Sequence, residues 1–450
     1  MRTIPTIRNR RPLKRTPILP FLLIALALVV TFRSRSEAVA TSTTTTDATI
    51  VLDTDSAAFI DGAFQVVNNE SGHQTDPHVS CNLVSYTADN FQGIARVHYQ
   101  DLSTGTDNVI PGNETDLFSS ISGSRVAYTK VTSSGDTIRI FDTTSQTTTV
   151  VPGVKRNKPS IGGNLVVFED HSGPGEIATY DLSTGIVTPL TNDSLIDRSP
   201  RMSPNGNAVV WEKCQINGLG CDVYAAIQTS PGVFNTRALT TDGGEDRLPS
   251  TDGEVAVYVS DRTGENDVYY QALSGNSEVH LSILGDQRNA TVSGHLISFE
   301  SRYLASYDIY VYDIRTGTLS RATNTLHDER LSEISVCNGV GRIVYAILEN
   351  GAFDIHAFLF QAPRVTEDQI DDLISSIPSF NLPQGTTNSF IAKLQQALTA
   401  IESGDLATAC SSLTALTNEC AAQSGKKLTT DQATQLIVSV KQIKSVLGCQ

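Results

Sequence analysis

Four arginines follow an acidic or amide residue at similar points of the sequence, each just before a short strand-like segment. The pairs are Asp197-Arg198, Asp246-Arg247, Gln287-Arg288 and Glu329-Arg330, with His78 and Arg156 in similar places in other copies. A guanidinium presents five donors in a fixed fork, which suits anionic and polar groups. These side chains are therefore candidates for binding such a group of a ligand or partner. They could instead form ion pairs between blades that also hydrogen-bond buried turn carbonyls, and the sequence leaves both interpretations open.

The sequence contains no pattern that is typical of a catalytic centre. A G-x-S-x-G elbow, an H-E-x-x-H motif and an EF-hand loop are absent, and no glycine-rich loop opens a helix. The eight histidines are scattered, so a metal site would need them to converge in space. We therefore predict no catalytic residue, no cofactor and no enzyme activity. A weak calcium candidate is the hairpin "SDRTGEND", where Asp261, Glu265 and Asp267 carry oxygen ligands, although Asp267 also suits capping of its own turn.

The elements that must position these residues form a repeat. Each short run of small and branched apolar residues ends in an aromatic residue, and the seven are Tyr86, Tyr128, Phe168, Trp211, Tyr258, Phe299 and Tyr345. Their spacings are 42, 40, 43, 47, 41 and 46 residues. A period in the forties made of strands indicates a β-propeller. The sequence predicts a mainly β protein with seven blades, or six or eight if one copy packs elsewhere. Because the starts of the inner strands lie near the axis of a propeller, we expect the acidic and arginine residues named above to ring one mouth of the central channel.

The first strand-like segment, "AFQVVNNESGHQTDP" at residues 63–77, has the form of the last strand of a blade running into the next one. The seventh copy stops at "DIHAFLFQAP" without a last strand of its own. An unpaired edge strand is a liability. We therefore expect residues 63–68 to pair beside residues 353–360 and to close the ring.

The seven cysteines suit an oxidising compartment. Cys214 and Cys221 flank a glycine-bearing loop between two strand-like runs, which predicts a disulfide across a hairpin. Cys81 and Cys337 occupy the same turn in the first and seventh copies, which are neighbours in a closed ring, so they are a second candidate pair. Two buried free thiols are the alternative there. In the C-terminal part, the preferred pair is Cys410 with Cys449, which leaves Cys420 as a packed free thiol.

Charge and the N-terminus restrict location and partners. Residues 1–40 hold eight Lys/Arg residues and one acidic residue. The whole chain has 33 Lys/Arg and 48 Asp/Glu residues, so residues 41–450 contain 25 basic and 47 acidic residues and carry a net charge of −22. A body that acidic repels phosphate backbones, so no nucleic-acid partner is expected. Residues 1–40 read as a secretory signal peptide, or as an uncleaved membrane anchor through residues 17–32. Both place the bulk of the chain outside the cytoplasm, secreted or periplasmic, and we expect a monomer.

Two segments resemble known families. "SPNGNAVVWE" (203–212) and "SDRTGENDVYY" (260–270) resemble the repeat of TolB-like propellers, and the resemblance covers roughly residues 63–360. It implies a protein-binding propeller, the non-catalytic half of certain peptidases, or a cell-surface module. Asn205 departs from the family's usual Asp, and only the fifth copy holds the full S-D-R-x-G-x-x-D.

The C-terminal residues 363–450 carry apolar stripes at helical spacing, and Thr429 with Gln432 predicts a capping box that starts the last helix. "LTALTNECAAQSGKKLTTDQATQLI" resembles the small helical FIMAH module of exported bacterial proteins, which implies no particular activity. The predicted organisation is a signal peptide or anchor (1–40), a disordered linker (41–62), a propeller (63–362) and a small α-helical module (363–450).

Three functions are consistent with this sequence. The first is an exported, non-enzymatic propeller that binds a protein partner or polar ligand through one face, as a scaffold. The second is an enzyme, such as a lyase or glycan hydrolase, with paired carboxylates at the channel mouth. The third is a structural cell-surface module. The absence of catalytic patterns favours the first.

Overall fold

The computed structural model describes residues 47–54, 56–89, 93–112, 114–302, 306–349, 351–362, 366–403, 405–447 and 449. The predicted signal peptide or anchor, residues 1–40, lies outside these ranges. Within them, no helix has both the length and the apolar character needed to cross a membrane.

The described part of the chain forms seven sheets that follow one another as blades, and the four repeat strands of each blade are antiparallel. Three short strands precede the repeats: β1 (Ala48–Leu52), β2 (Ala58–Phe59) and β3 (Gly62–Asn68). Blades 1 and 2 contain β4 (Gln74–Ser80), β5 (Leu83–Asp89), β6 (Ala95–Asp101), β7 (Thr106–Val109), β8 (Asp116–Ser122), β9 (Arg125–Lys130), β10 (Thr137–Asp142) and β11 (Thr147–Val150). Blades 3 and 4 contain β12 (Arg156–Gly162), β13 (Leu165–Asp170), β14 (Glu176–Asp181), β15 (Ile186–Pro189), β16 (Ile196–Met202), β17 (Ala208–Cys214), β18 (Asp222–Ser230) and β19 (Val233–Ala238). Blades 5 to 7 contain β20 (Asp246–Thr251), β21 (Val255–Ser260), β22 (Asp267–Ala272), β23 (Glu278–Ile283), β24 (Asp286–Ser293), β25 (Leu296–Arg302), β26 (Asp308–Asp313), β27 (Thr318–Arg321), β28 (Glu329–Cys337), β29 (Val340–Glu349) and β30 (Ala352–Gln361).

The repeated aromatic residue of each blade lies in the core between blades. All seven aromatic side chains are at most 3% exposed. Three of the polar rings donate hydrogen bonds from within this core: Trp211 Nε1 to Asp197 at 2.7 Å, the Tyr86 hydroxyl to Asp107 at 2.6 Å, and the Tyr258 hydroxyl to Glu278. The repeat therefore places one large anchor per blade where it excludes water from the contact with the neighbouring blade.

The N-terminal strand closes the ring as predicted. β3 is the fourth strand of blade 7 and pairs antiparallel with β30, from Gly62 opposite Phe360 to Asn68 opposite Ile355. A Cβ on Gly62 would lie 2.4 Å from the Phe358 ring, so the glycine is what lets the strand approach this aromatic residue. The prediction of seven blades closed by an early strand is confirmed.

The prediction of a disordered linker over residues 41–62 is wrong for its described strands. β1 pairs in parallel with β23 and adds a fifth strand to blade 5, and β2 pairs in parallel with β27 of blade 6. Ile50 and Leu52 pack against the core between these two blades. This burial holds the segment in place, and a short segment without a repeat partner gave no signal of it in the sequence.

Covalent and polar contacts reinforce the junction between blades 7 and 1. Cys81 and Cys337 form a disulfide across it, and the Cys81 amide donates to Ser335 Oγ at 3.1 Å. The other predicted pairs, Cys214–Cys221 and Cys410–Cys449, are also bonded, and Cys420 is a buried free cysteine. The cysteine predictions are thus confirmed in all three pairs.

The C-terminal region consists of four α-helices in the part that the structure describes: α1 (Thr366–Ser376), α2 (Gln384–Glu402), α3 (Leu406–Gln423) and α4 (Thr430–Val446). The predicted stripes meet in one core with Cys420 at its centre. Thr429 and Gln432 form the predicted capping box, with reciprocal bonds of 3.0 and 3.2 Å. Helix α1, which the sequence stripes did not show separately, completes this core through Ile370 and Leu373.

We expect the seam disulfide to contribute more stability than the hairpin disulfide. The Cys81–Cys337 bridge spans a sequence separation of 256 and Cys214–Cys221 one of 7, for which the chain-entropy model gives about 5 and about 2.5 kcal/mol. The double variant Cys81→Ser/Cys337→Ser should therefore lose more free energy of unfolding in urea than Cys214→Ser/Cys221→Ser. An equal loss, or a larger loss for the hairpin pair, would show that ring closure does not depend on this bridge.

Candidate functional site

A pocket lies on the axis of the propeller, because its lining comes from the innermost strands of all seven blades. Its volume is about 260 Å³. Each blade contributes two or three consecutive residues from one point of its inner strand: 76–78, 118–119, 158–159, 199–201, 248–250, 289–291 and 331–333.

Every inner strand carries a β-bulge at this point. The register with the second strand shifts once in each blade, for example between Thr75 and His78 and between Arg198 and Arg201. The bulged residue is left-handed with φ between 45° and 56°; the seven are Asp76, Phe118, Lys158, Ser199, Leu248, Asn289 and Leu331. Four of them precede a proline, which has no amide hydrogen to leave unpaired at a bulge. The bulges turn these side chains toward the axis.

The preceding blade holds several of these strained residues in place. The Ser199 amide donates to Glu169 Oε1 at 2.8 Å, and the Leu248 amide donates to Glu212 Oε1 at 2.8 Å. In blade 7 the amide of Ser332, one residue after the left-handed Leu331, donates to Glu300 Oε1 at 3.0 Å, and burial raises the pKa of Glu300 to about 7. These three glutamates follow the repeated aromatic residue directly in sequence. Hydrogen bonds between blades thus offset part of the cost of a left-handed non-glycine backbone, about 1–2 kcal/mol per residue.

A cluster of four charged side chains lies within the pocket. His78 Nε2 lies 3.3 Å from Asp76 Oδ1, and His78 Nδ1 makes a short contact with Glu333 Oε2. Arg201 Nη1 lies 3.7 Å from the same Glu333 oxygen. His78 belongs to blade 1 and Glu333 to blade 7, whereas Arg201 belongs to blade 4 on the opposite side of the ring. The arginine therefore reaches across the axis to the closure seam.

The ionisation of this cluster follows from its charges. Burial and the positive charge of Arg201, whose Nη1 lies 3.2 Å from His78 Nδ1, disfavour the imidazolium. Glu333 and Asp76 outweigh both effects and raise the pKa of His78 to about 9. Burial acts to raise the pKa of Asp76 and of Glu333, and the charged His78 overcomes it, so both pKa values lie below the usual range. The cluster is therefore two carboxylates, one imidazolium and one guanidinium at neutral pH.

The rest of the pocket wall is mixed in character. Phe118, Leu248 and Leu331 are 39%, 47% and 41% exposed although they are large apolar side chains. Lys158 lies on the same ring of bulges, with its Nζ 3.1 Å from Glu169 Oε1. The pocket thus presents apolar surface, charge and backbone within one small volume.

The acidic residues predicted at the channel mouth are buried away from this pocket. Asp197, Asp246 and Glu329 are 0% exposed. Lys213 Nζ lies 3.2 Å from Asp197, Arg262 Nη2 donates to Asp246 at 3.0 Å, and Thr323 donates to Glu329 at 3.1 Å. Burial raises the pKa of Asp197 and brings that of Glu329 to about 7. Asp197 and Asp246 thus bind within their own blades, whereas Glu329 of blade 7 binds a residue that follows the last strand of blade 6.

The four predicted arginines form ion pairs within their own blades. Their partners are Glu212 for Arg198 at 2.7 Å, Glu245 for Arg247 at 3.1 Å, Asp286 for Arg288 at 2.9 Å and Asp328 for Arg330 at 2.6 Å. Arg288 and Arg330 also stack over the Tyr307 ring. None of the four is among the residues that line the axial pocket. Binding of an anionic group by these arginines stays a prediction.

Sequence reasoning placed the site two to four residues too early in the inner strand. The sequence analysis grouped His78 with the arginines, but in the strand register His78 is equivalent to Arg201 and Glu333 of other blades. Arg156 is equivalent to Asp197 rather than to Arg198. Arg201 and Glu333 were missed altogether. The signal that marks the bulge is the X-Pro pair at residues 76–77, 158–159, 199–200 and 248–249.

The calcium candidates make protein contacts. Asp261 accepts the Glu245 amide at 2.9 Å, and Asp267 lies 3.1 Å from His280 Nε2 and accepts the Thr263 hydroxyl. Over the described ranges, one group of potential metal ligands comes together, Glu212 with Cys214 and Cys221. Those two cysteines are joined in a disulfide and so provide no thiolate.

No family model matches the chain, and no curated protein matches its sequence. Among solved structures, the β-propeller domain of the Trilobed protease from Pyrococcus furiosus is similar with a TM-score of 0.50 at 12% identity, covering 66% of this chain and 96% of that one. A puromycin hydrolase is similar with a TM-score of 0.50 at 14% identity, covering 64% of this chain and 52% of the hydrolase. An acylaminoacyl peptidase from Pyrococcus horikoshii has a TM-score of 0.49 at 12% identity, covering 65% of this chain and 53% of the peptidase. The chain thus spans about half the length of the latter two.

The first two similarities support the propeller fold. The Pyrococcus furiosus domain is described as having an open velcro topology, whereas β3 closes blade 7 here. The predicted scaffold or interaction role is contradicted, because the two structures with a TM-score of 0.50 are the propeller domain of a protease and a hydrolase. The predicted absence of enzyme activity in this chain itself is a separate point and stays a prediction. The lyase, glycan hydrolase and surface-module alternatives have no counterpart in these two structures. The resemblances to TolB-like propellers and to the FIMAH module are not confirmed and stay predictions.

The charged cluster should make stability depend on pH. The pKa of His78 is raised from 6.5 to about 9 in the folded state. Its stabilising contribution is therefore fully present below pH 6.5 and is lost as pH rises through 9, by up to about 3 kcal/mol. Urea unfolding between pH 6 and pH 9.5 should show this decline in the native protein and not in His78→Gln. The exposed His327 provides the control His327→Gln, which should keep the decline. A decline of equal size in His78→Gln would contradict this assignment.

Proposed function

We propose that this chain is the substrate-admitting propeller of a peptide-hydrolysing system. The extended end of a peptide enters the axial pocket and is held there, while a separate catalytic unit cuts the chain. The observation that carries this proposal is the pocket itself, which all seven blades build and which combines apolar, charged and backbone groups.

The size and chemistry of the pocket favour a peptide end. At about 260 Å³ it lies just below the usual range of small-ligand sites, about 300–1,000 Å³. An α-helix with side chains is about 10–12 Å across, so an extended chain end fits such a volume better than a folded element. The exposed Phe118, Leu248 and Leu331 suit apolar side chains, and the charged cluster suits the polar ends of a peptide.

The charged cluster suits binding better than hydrolysis. A general base must be neutral to accept a proton, but the pKa of His78 lies at about 9 and its two ring nitrogens face carboxylates. Ser119 is the pocket serine in the next blade, and its hydroxyl donates to Ser85 at 3.1 Å. We therefore assign the cleavage step to another unit, and the peptidase context of the similar propellers supports this division.

An extracytoplasmic location is part of the proposal. Three disulfides support it, because such bonds persist mainly in oxidising compartments. Peptides from degraded protein would be the natural ligands in such a compartment.

Calorimetric titration with the tetrapeptide Ala-Leu-Phe-Ala tests the proposal. We expect saturable binding to the native protein and at least about tenfold weaker binding to Leu248→Trp, whose larger side chain fills the pocket. Leu326→Trp is the matched control, because Leu326 is 97% exposed and does not line the pocket. Absence of binding to the native protein, or full binding by Leu248→Trp, would overturn the proposal.

Incubation with the same peptide addresses the catalytic step. The purified chain alone should leave the peptide intact by mass spectrometry. Cleavage that Leu248→Trp abolishes and Leu326→Trp retains would place catalysis in this chain and contradict the assignment to a separate unit.

A further inference from the structure

We infer that the axial pocket selects peptides by their free C-terminal carboxylate, which Arg201 and Lys158 bind. This inference rests on the proposed function, since it names the end of the peptide that enters. It also defines the direction of binding: the C-terminus of the peptide enters the pocket first, and the rest of the peptide extends toward solvent.

The acidic groups of the pocket already have partners. Asp76 and Glu333 lie on either side of the His78 ring, and their side chains are 32% and 22% exposed. Each also accepts a backbone amide, from Ser119 and Val79 respectively. An incoming ammonium group would have to compete with an imidazolium that is 5% exposed and held from both sides.

The cationic groups are more accessible. The Lys158 and Arg201 side chains are 42% and 39% exposed. Arg201 Nη1 lies 3.2 Å from His78 Nδ1 and 3.7 Å from Glu333 Oε2. Both contacts run through that one terminal nitrogen, which leaves the rest of the planar fork for a second carboxylate. Lys158 shares Glu169 with the Ser199 amide at 2.8 Å and with His171 at 2.9 Å. Glu169 therefore interacts with three groups and does not bind Lys158 alone.

The charge of the lining favours an anion. Three lining side chains are cationic, Lys158, Arg201 and His78, against two anionic ones, Asp76 and Glu333. Glu169 pairs with Lys158 from behind the lining and is only 3% exposed, so the charges balance, but the cations Lys158 and Arg201 are the most exposed charged groups of the set. A ligand carboxylate meets these exposed cations, whereas an ammonium group would be repelled by them.

The pocket wall also contains a hydroxyl without a partner. Ser332 lines the pocket and is 3% exposed, and its Oγ has no hydrogen-bond partner among the described residues. A ligand oxygen that approached this part of the wall to hydrogen-bond distance would satisfy it.

The test compares three forms of one peptide: Ala-Leu-Phe-Ala as the free acid, as the C-terminal amide, and as the N-acetylated acid. On the native protein we expect the amide to bind about tenfold or more weakly than the free acid, and the N-acetylated acid to bind as tightly. This comparison needs no variant, so it does not depend on whether a substitution folds.

Two variants then assign the carboxylate to its partners. Arg201→Gln and Lys158→Gln should each reduce the preference for acid over amide to less than about threefold. Arg315→Gln removes one charge from an exposed outer turn of blade 6 outside the pocket and should keep the full preference.

The outcomes separate this inference from the proposed function. Equal binding of acid and amide overturns the inference and leaves a peptide-binding pocket. Loss of affinity on acetylation shows that the N-terminus is recognised and also overturns it. Retention of the full preference by both Arg201→Gln and Lys158→Gln overturns the assignment to these side chains. No binding of any form overturns the proposed function itself.

Discussion

The pairing of β3 with β30 is the constraint on which the rest of this molecule depends. It joins the first described repeat strands to the last ones and converts a row of sheets into a ring, which leaves no open edge at the seam. The Cys81–Cys337 disulfide and the His78–Glu333 contact lie at the same junction. Because Glu333 and His78 come from the last and first blades, the charged part of the pocket exists only when the ring is closed.

The ring in turn fixes the shape of the pocket through the backbone. Each inner strand carries one bulge with a left-handed residue, and a bulge bends its strand and turns its side chains away from the regular pleat. Carboxylates such as Glu169 and Glu212 hold the bulge of the following blade by its amide. The same contacts that join neighbouring blades therefore also set the geometry around the axis. A change that weakens the contact between two blades should for this reason also alter the shape of the pocket.

In this propeller, acidic side chains are buried inside the blades while cationic side chains are partly exposed at the axial pocket. Acidic side chains at the start of the inner strands, such as Asp197 and Asp246, are fully buried and paired inside their blades. Cations such as Arg201 and Lys158 remain partly exposed at the pocket. An acidic protein can in this way present a locally cationic site, because buried ion pairs contribute little field at the axis while exposed guanidinium and ammonium groups face the ligand. This contrast is the basis for assigning a peptide end, and in particular a carboxylate, to the pocket.

The sequence by itself determined the blade count, the closing strand, the disulfide pairs and the helical tail. Each of these follows from a pattern along the chain: the spacing of Tyr86 to Tyr345, a final copy that lacks a strand, and cysteines in equivalent turns. The path of β1 along blade 5 and the identity of the pocket residues were decided only by the tertiary structure. Arg201 meets Glu333 across the axis although 132 residues separate them in sequence. Which side chains face that axis depends on a one-residue shift of register in every inner strand, and such a shift exchanges the faces of the strand without changing its composition.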